Sequence, residues 1–362
     1  MEGTSQSFIL NISMKVWDTT GDMSDDTFYL IDGIINLYAS IIVYFIGIPT
    51  NAFNCLVFWH QGLRDRVNLC LFALASVDLL TLSLNFVISF VQPFIGLVSR
   101  PLREEFGMKA QSYTAGVVYG LHATSDVIST IIAVDRCLCV VCPLRVAHLI
   151  RTRTMVAVMA TSFVFLQLSY AMLPIKFTVA SVYVNSTGTY RWKMVQTDIE
   201  LKYGNILDPF TVTFLSIALP ITTFIIVSAS TTVTVLKLMS ATRWREKTSS
   251  VKRGTLGHQA GATKMLVLVS CLYIVTMAPY VASFFARLAV KDFSPFGRYC
   301  KLFVAVLLIT DLFFLINNAG NFFVYIAQSS RFRRDLRVVL CNNRKNQSRA
   351  GLARSVTKVL SM

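Results

Sequence analysis

Charged residues are scarce in this sequence, and several long stretches lack them altogether. Only 15% of the 362 residues are Asp, Glu, Lys or Arg, against about 25% in soluble domains. The mean hydropathy is correspondingly positive, at +0.58. This composition excludes an ordinary soluble globular domain and indicates a membrane protein.

Seven stretches are long enough to cross a bilayer. Each contains about 20 or more residues with at most one charged side chain, which is the length that a membrane-spanning helix needs. At this segment length only helices satisfy their own backbone hydrogen bonds in lipid, so the sequence predicts an all-α membrane protein, a seven-transmembrane helix bundle. We expect spans over residues 32–60, 67–98, 107–141, 154–176, 207–239, 260–288 and 300–327.

No apolar core of the signal-peptide kind precedes the first stretch, so we expect the first span to direct its own insertion. Acidic residues lie before this span, and Arg64 and Arg66 follow it. Because basic residues stay in the cytoplasm, we expect the N-terminus outside and the C-terminus inside, at the plasma membrane. The net charge of +15 would then face anionic inner-leaflet lipid, which argues against a nucleic-acid partner. Sequons at Asn11 and Asn185 fall on outer segments, where we expect glycosylation.

One transmembrane domain is expected, with short segments at both ends. The stretch "SSRFRRDLRVVL" places apolar residues at helical spacing with arginines between them, which predicts a short amphipathic eighth helix in the plane of the membrane interface. The expected division is an extracellular tail at 1–31, the transmembrane domain at 32–328, the juxtamembrane helix at 329–341 and a cytoplasmic tail at 342–362.

Ionisable side chains inside the spans are costly and therefore mark candidate sites. Asp78, Asp126 and Asp311 lie within the second, third and seventh spans, and the pair Asp135-Arg136 closes the third.

Three amides on the seventh span need partners of their own. In "LINNAGNFFVYI", Asn317 and Asn321 share a helix face, and Asp78 lies at a similar depth. Carboxylate, amide and hydroxyl oxygens together suit water or a small hard cation such as Na+; the alternative is polar contacts that only join helices. The candidate polar, sodium-like pocket comprises Asn51, Asp78, Ser125, Asn317, Asn318 and Asn321.

Three cysteines follow the Asp-Arg pair, and a metal site is the alternative they raise. Cys137, Cys139 and Cys142 do not share a face of a continuous helix, so their thiolates cannot converge on one ion. We expect no metal and no cofactor other than the sodium ion considered above.

The polar residues, in this order, resemble those of rhodopsin-like (class A) G-protein-coupled receptors. "GIPTN", "ALASVDLL", "AVDRC" and "NFFVY" are similar to the family's motifs in the first, second, third and seventh spans. The resemblance covers residues 32 to 341. It implies a receptor, not an enzyme, which binds an extracellular small-molecule or peptide ligand in the outer half of the bundle and activates a heterotrimeric G protein.

The resemblance also implies roles for particular residues. Asp135, Arg136 and Tyr325 would form the G-protein switch, and Cys341 would carry a lipid. The prolines that would act as helix hinges are Pro220 and Pro279. The candidate ligand pocket is chosen by the depth of each residue in its span and by the helix face on which it lies. It comprises Gln92, Tyr119, His122, Arg287 and Asp311. Asp311 and Arg287 would either bind a charged group of the ligand or form an ion pair with each other.

Several positions depart from the family pattern. Gln111 occupies the third-span position of the usual disulfide, and residues 177–206 contain no cysteine, so that bridge cannot form. Gln259 replaces the acid that usually pairs with the third-span arginine, which predicts a weakly locked resting state. Val118 stands where amine receptors of this family carry an acid, and Leu315 where opsins carry a lysine; both disfavour those classes.

Within the family, "VNLCLFALASVDLL" and "DRCLCVVCPLR" resemble invertebrate, especially molluscan, chemosensory or orphan receptors. A neuropeptide receptor of the same fold is the nearest alternative. An ion or solute transporter would use the intramembrane acids as a path, but the sequence shows no inverted repeat of the kind transporters have. No His-Glu-x-x-His or paired-carboxylate motif supports an intramembrane enzyme.

Overall fold

The computed structural model describes residues 23–143, 151–184, 189–248, 256–293 and 297–341. It is a bundle of long helices, named spans 1 to 7 here in chain order. Span 1 consists of Asp25–Asp32, a π-helical segment Gly33–Ala39 and Ser40–Gln61; span 2 is Arg66–Val98; span 3 is Arg100–Val141; span 4 is Thr152–Tyr170, followed by the short helix Leu173–Lys176. Span 5 consists of Asp198–Asp208, a π-helical segment Pro209–Ala218 and Leu219–Thr248; span 6 is Leu256–Ala289; span 7 is Cys300–Gln328. A last helix covers residues 330–341.

Local sequence signals begin and end these helices. The Asp65 side chain accepts a hydrogen bond from Val67 N (3.2 Å) and caps span 2, and Ser99 caps span 3 through Leu102 N (3.4 Å). Gly62 ends span 1 with a φ of 91°, a conformation that glycine adopts without a steric penalty.

Within the described residues, six of the helices are long and apolar enough to cross a membrane: spans 1, 2, 4, 5, 6 and 7. Span 3 is not among these six, although it is an unbroken α-helix of 42 residues and packs against spans 2, 4, 5 and 6. Its middle is polar, with Thr124, Ser125 and Asp126 all buried. Large apolar side chains cover much of the outer surface, as a helix bundle in hydrocarbon requires.

The largest buried apolar cluster lies toward the end of the bundle that is predicted to face the cytoplasm, which is called the inner end here; the opposite end is called the outer end. It joins spans 1, 2, 3, 4, 6 and 7 and includes Val57, Leu71, Ile132 and Leu266. Phe332 from the last helix inserts into the same cluster and is 1% exposed, so the juxtamembrane helix packs against the bundle.

A β-hairpin follows span 4, in the segment between spans 4 and 5. Strands β1 (Phe177–Val184) and β2 (Thr189–Gln196) pair antiparallel, with Phe177 opposite Gln196. Both are rich in β-branched and aromatic residues, which favour strands. The prediction of an all-α chain is therefore correct for the bundle but omits this hairpin.

Span 3 and span 4 approach closely at a glycine. A Cβ on Gly116 would lie 2.8 Å from the backbone oxygen of Tyr170 and 3.3 Å from Cδ of Pro174. Backbone cannot move aside as a side chain can, so the two helices would have to separate.

Gly116→Ala is therefore expected to destabilise the bundle by about 1–3 kcal/mol through overpacking. The measurement is the melting temperature of the purified protein in detergent. Gly33→Ala is the matched control, because no atom lies within 4 Å of its added Cβ. Equal melting temperatures for the two variants would show that the helices are not packed tightly at Gly116.

Candidate functional site

A buried carboxylate joins three spans in the centre of the bundle. Asp78 on span 2 is fully buried. Its Oδ1 accepts a hydrogen bond from Ser125 Oγ on span 3 (2.8 Å), and its Oδ2 accepts one from Asn321 Nδ2 on span 7 (3.2 Å). A buried charge needs such partners, and here they come from two other helices. A shift of span 3 or span 7 therefore changes the hydrogen bonds of Asp78.

A second set of amide bonds connects span 1 to span 7. Asn51 Nδ2 donates to the backbone oxygen of Asn318 (2.8 Å) and to that of Gly47 (3.0 Å). Asn54 Nδ2 donates to Asn51 Oδ1 (3.3 Å). Sequence reasoning missed Asn54, although it lies three residues after Asn51 and hence on the same helix face.

Three buried amide atoms in this region have no hydrogen-bond partner among the described residues: Asn54 Oδ1, Asn318 Nδ2 and Asn321 Oδ1. Asn317 Oδ1 is engaged differently, since it accepts a hydrogen bond from Thr276 Oγ1 on span 6 (3.2 Å). The polar centre thus contacts span 6 through Thr276, a residue that sequence reasoning did not single out.

Asp126 is buried on span 3, next to Ser125. Its carboxylate forms no hydrogen bond and no ion pair with the residues that the structure describes. It is set apart from the bonded network around Asp78.

At the inner end of span 3, two arginines share one buried carboxylate. Arg136 donates to Asp135 Oδ2 through Nη2 and through Nε (3.1 Å). Arg66 from span 2 places Nη1 3.7 Å from Asp135 Oδ1. Arg66 was expected only as a topological marker, and no local spacing links it to Asp135. The side chains of Asp135 and Arg136 are 6% and 12% exposed, so the pair is largely shielded from solvent.

Span 6 closes over this ion pair. A gap of about 10 Å³ beside Arg136 is lined by Leu71 of span 2, Ile132 of span 3 and Leu266 of span 6, among others. Tyr325 of span 7 is buried close by, with its ring 5.2 Å from that of Phe58.

The outer half of the bundle contains a cavity of about 660 Å³, within the size range of small-molecule sites. Four of the five predicted ligand-pocket residues line it: Gln92, Tyr119, His122 and Asp311. Arg287 does not line it; its guanidinium carbon lies 5.9 Å from the ring centre of Phe303. No ion pair joins Arg287 to Asp311 within the described structure, so they do not pair with each other.

Aromatic rings form a continuous contact from the cavity toward span 6. The ring of His122 lies 5.2 Å from that of Phe314 on span 7, and Phe314 lies 5.0 Å from Tyr280 on span 6. Tyr280 follows Pro279, which lies inside span 6 and cannot donate a helix hydrogen bond. The other predicted hinge, Pro220, lies just after the π-helical segment of span 5.

Other predicted residues lie at or beyond the limits of the described structure. Asn11 and Asn185 are outside the described residues, as is the side chain of Gln259. Cys341 is the last described residue and is exposed.

Comparison with known proteins bears directly on this arrangement. The model of the family "7 transmembrane receptor (rhodopsin family)" matches residues 51–341. The chain belongs to the rhodopsin family of seven-transmembrane receptors. It is therefore a multi-pass membrane receptor and not an enzyme. No curated protein sequence matches it at a significant level.

The receptor holds its outer hairpin without a disulfide. Lys176, at the end of span 4, is 1% exposed. Its Nζ lies 2.6 Å from Asp208 Oδ1, 2.8 Å from Thr211 Oγ1 and 3.4 Å from Glu200 Oε2. None of the eight cysteines forms a disulfide. We name this group of four residues the lysine clamp; it ties the outer ends of spans 4 and 5 together at the base of the hairpin.

Proposed function

We propose that the receptor binds an extracellular ligand in the outer cavity and transmits that event to a heterotrimeric G protein at its inner end. The observation that carries the proposal is the arrangement along the bundle axis. A solvent-accessible cavity lies at one end, a buried hydrogen-bonded centre at Asp78 in the middle, and an ion pair covered by span 6 at the other end. Such a molecule can adopt two packings, and a ligand that prefers one of them shifts the balance.

Transmission begins at the cavity wall. A ligand that displaces His122 changes its contact with Phe314, which in turn supports Tyr280 beside Pro279. Because Pro279 leaves a helix carbonyl unbonded, span 6 can bend there at small energetic cost. The inner half of span 6, including Leu266, then moves away from Arg136.

The polar centre couples span 7 to the same event. Asp78 bonds both Ser125 and Asn321, so a new packing must break or exchange those bonds. Sodium fits this centre: the oxygens of Asp78, Ser125 and the unbonded Asn321 Oδ1 would hold it, and its charge would neutralise the carboxylate. The hydrogen bonds among Asp78, Ser125 and Asn321 themselves hold spans 2, 3 and 7 in one packing.

Orientation and processing follow the same proposal. The N-terminus lies outside, with sugars on Asn11 and Asn185, and Cys341 carries a lipid at the inner surface. The resemblance of "DRCLCVVCPLR" to molluscan receptors supports a chemosensory role.

Nucleotide exchange separates this function from transport. The receptor in nanodiscs is expected to accelerate nucleotide exchange on at least one class of heterotrimeric G protein without added ligand, because Arg136 lacks the usual acid on span 6. In proteoliposomes it is expected to carry no ion or solute flux. Flux without exchange on any G-protein class would replace the receptor proposal by a transporter.

A further inference from the structure

The outer cavity is acidic in a strongly basic protein. The chain carries a net charge of +15, yet the cavity lining includes three acids, Asp32, Glu104 and Asp311, and one formally charged base, Arg103. A cleft lined by one sign of charge concentrates ligands of the opposite sign. The cavity therefore favours cations although the whole molecule repels them.

One of the three acids is available for direct contact. Asp311 is an exposed residue, and as it lines the cavity its side chain is reached from there. It has no hydrogen bond and no ion pair within the described structure, and Arg287 lies over Phe303 instead. Asp32 differs, because its Oδ1 already accepts a hydrogen bond from Asn36 Nδ2 (2.7 Å). A carboxylate without a partner gains more from an incoming cation than one that already accepts a hydrogen bond.

Aromatic rings complete the surroundings that a cation needs. Tyr44, Tyr119 and Trp192 line the same cavity, and ring faces attract ammonium groups within about 6 Å. The wall already makes one such contact, since Lys109 Nζ lies 4.5 Å from the ring centre of Trp192.

We infer that the ligand is a small organic amine whose ammonium group pairs with Asp311 of span 7. This inference rests on the proposed function and specifies its ligand class. It also explains how an amine is bound although Val118 occupies the family's usual acidic position on span 3, because Val118 and Asp311 line the same cavity. The ammonium replaces the missing partner of Asp311, and the volume leaves room for an aromatic or aliphatic body.

The first arm of the test compares charge on fixed carbon skeletons. Purified receptor in nanodiscs is melted with phenethylamine, phenethyl alcohol or phenylacetate, and with the amine, alcohol and carboxylate forms of benzyl, indolylethyl and hexyl skeletons. At least one amine is expected to raise the melting temperature in a saturable manner while its alcohol and carboxylate do not. If no amine stabilises the receptor more than its own alcohol, the inference is wrong.

The second arm locates the contact. For the amine that stabilises most, Asp311→Asn is expected to weaken affinity roughly tenfold or more, since a charge-assisted bond is lost. Asp311→Glu should restore part of it. Asp32→Asn is the matched control, which removes the same charge from the same cavity and should weaken affinity less than about threefold. Equal losses in the Asp311 and Asp32 variants would mean that the cavity attracts cations without pairing them to Asp311. Melting temperatures without amine show whether each variant is folded.

Amine binding and G-protein activation can fail separately. The melting assay contains no G protein, so amine binding without nucleotide exchange would refute the proposed function alone. If the receptor melts normally and stimulates nucleotide exchange, but no amine changes that exchange, only the inference of an ammonium ligand is refuted.

Discussion

Arg136→Ala is expected to reduce receptor-stimulated nucleotide exchange to nearly the rate of the G protein alone. In the proposed mechanism the guanidinium is the charged group that the movement of span 6 releases at the inner end, and alanine offers no donor in its place. Central arginines in protein interfaces are worth about 2 kcal/mol or more, or about 30-fold in rate or affinity. The measurement is the exchange rate at equal receptor density in nanodiscs, with the most responsive G-protein class.

Two controls separate signalling from folding in this experiment. Arg136→Lys keeps the charge but loses the forked donor geometry, so an intermediate exchange rate is expected. Arg66→Ala removes the second arginine on Asp135 and should leave more activity than Arg136→Ala, since Arg66 lies on span 2 and the proposed switch uses Arg136. An Arg136→Ala receptor with a normal melting temperature and full exchange would contradict the proposed switch.

The second large effect is expected at the lysine clamp. Lys176→Met removes a buried cation and leaves Glu200, whose side chain is 5% exposed, as a buried anion without its partner. Breaking a buried pair costs about 3–5 kcal/mol. Asp208 is half exposed, so water screens its ion pair with Lys176 and that pair contributes little. Lys176→Met is therefore expected to lower the stability of the receptor by about 3 kcal/mol in total. The measurements are the melting temperature of purified receptor and the fraction that reaches the cell surface.

Lys202→Met is the matched control for the clamp. Lys202 is exposed on the same segment, with Nζ 5.2 Å from the ring centre of Tyr203, and its loss should change stability little. Adding Glu200→Gln to Lys176→Met should recover part of the loss, because the orphaned charge is then removed. If Lys176→Met and Lys202→Met have the same melting temperature, the hairpin is held by other contacts.

The helical class and the receptor family could be predicted from the sequence because lipid leaves few structural choices. Charge-poor runs reveal spans one at a time, and the family match confirms the receptor class. Depth within a span also follows from position, so Asp78, Ser125 and Asn321 could be placed at one level before their hydrogen bonds were seen. Their role in switching stays a prediction.

Contacts between distant segments could not be predicted in the same way. Lys176 lies at the end of a span, where lysine is ordinary, and its partners Glu200 and Asp208 follow across a hairpin with no fixed spacing. Arg287 shows the opposite error: depth suggested the cavity, but helix rotation directs the side chain to Phe303. The hairpin could have been foreseen, since "FTVASVYV" is rich in β-branched residues.

The lysine clamp has a consequence for how the receptor is made. Its outer surface is fixed by charge and hydrogen bonding, and every cysteine remains a thiol. Assembly of this end of the receptor therefore needs no oxidation step and no thiol-oxidising compartment. Reductants that unfold disulfide-dependent proteins should leave this surface intact, and a reducing cell-free system should yield receptor with its outer wall complete.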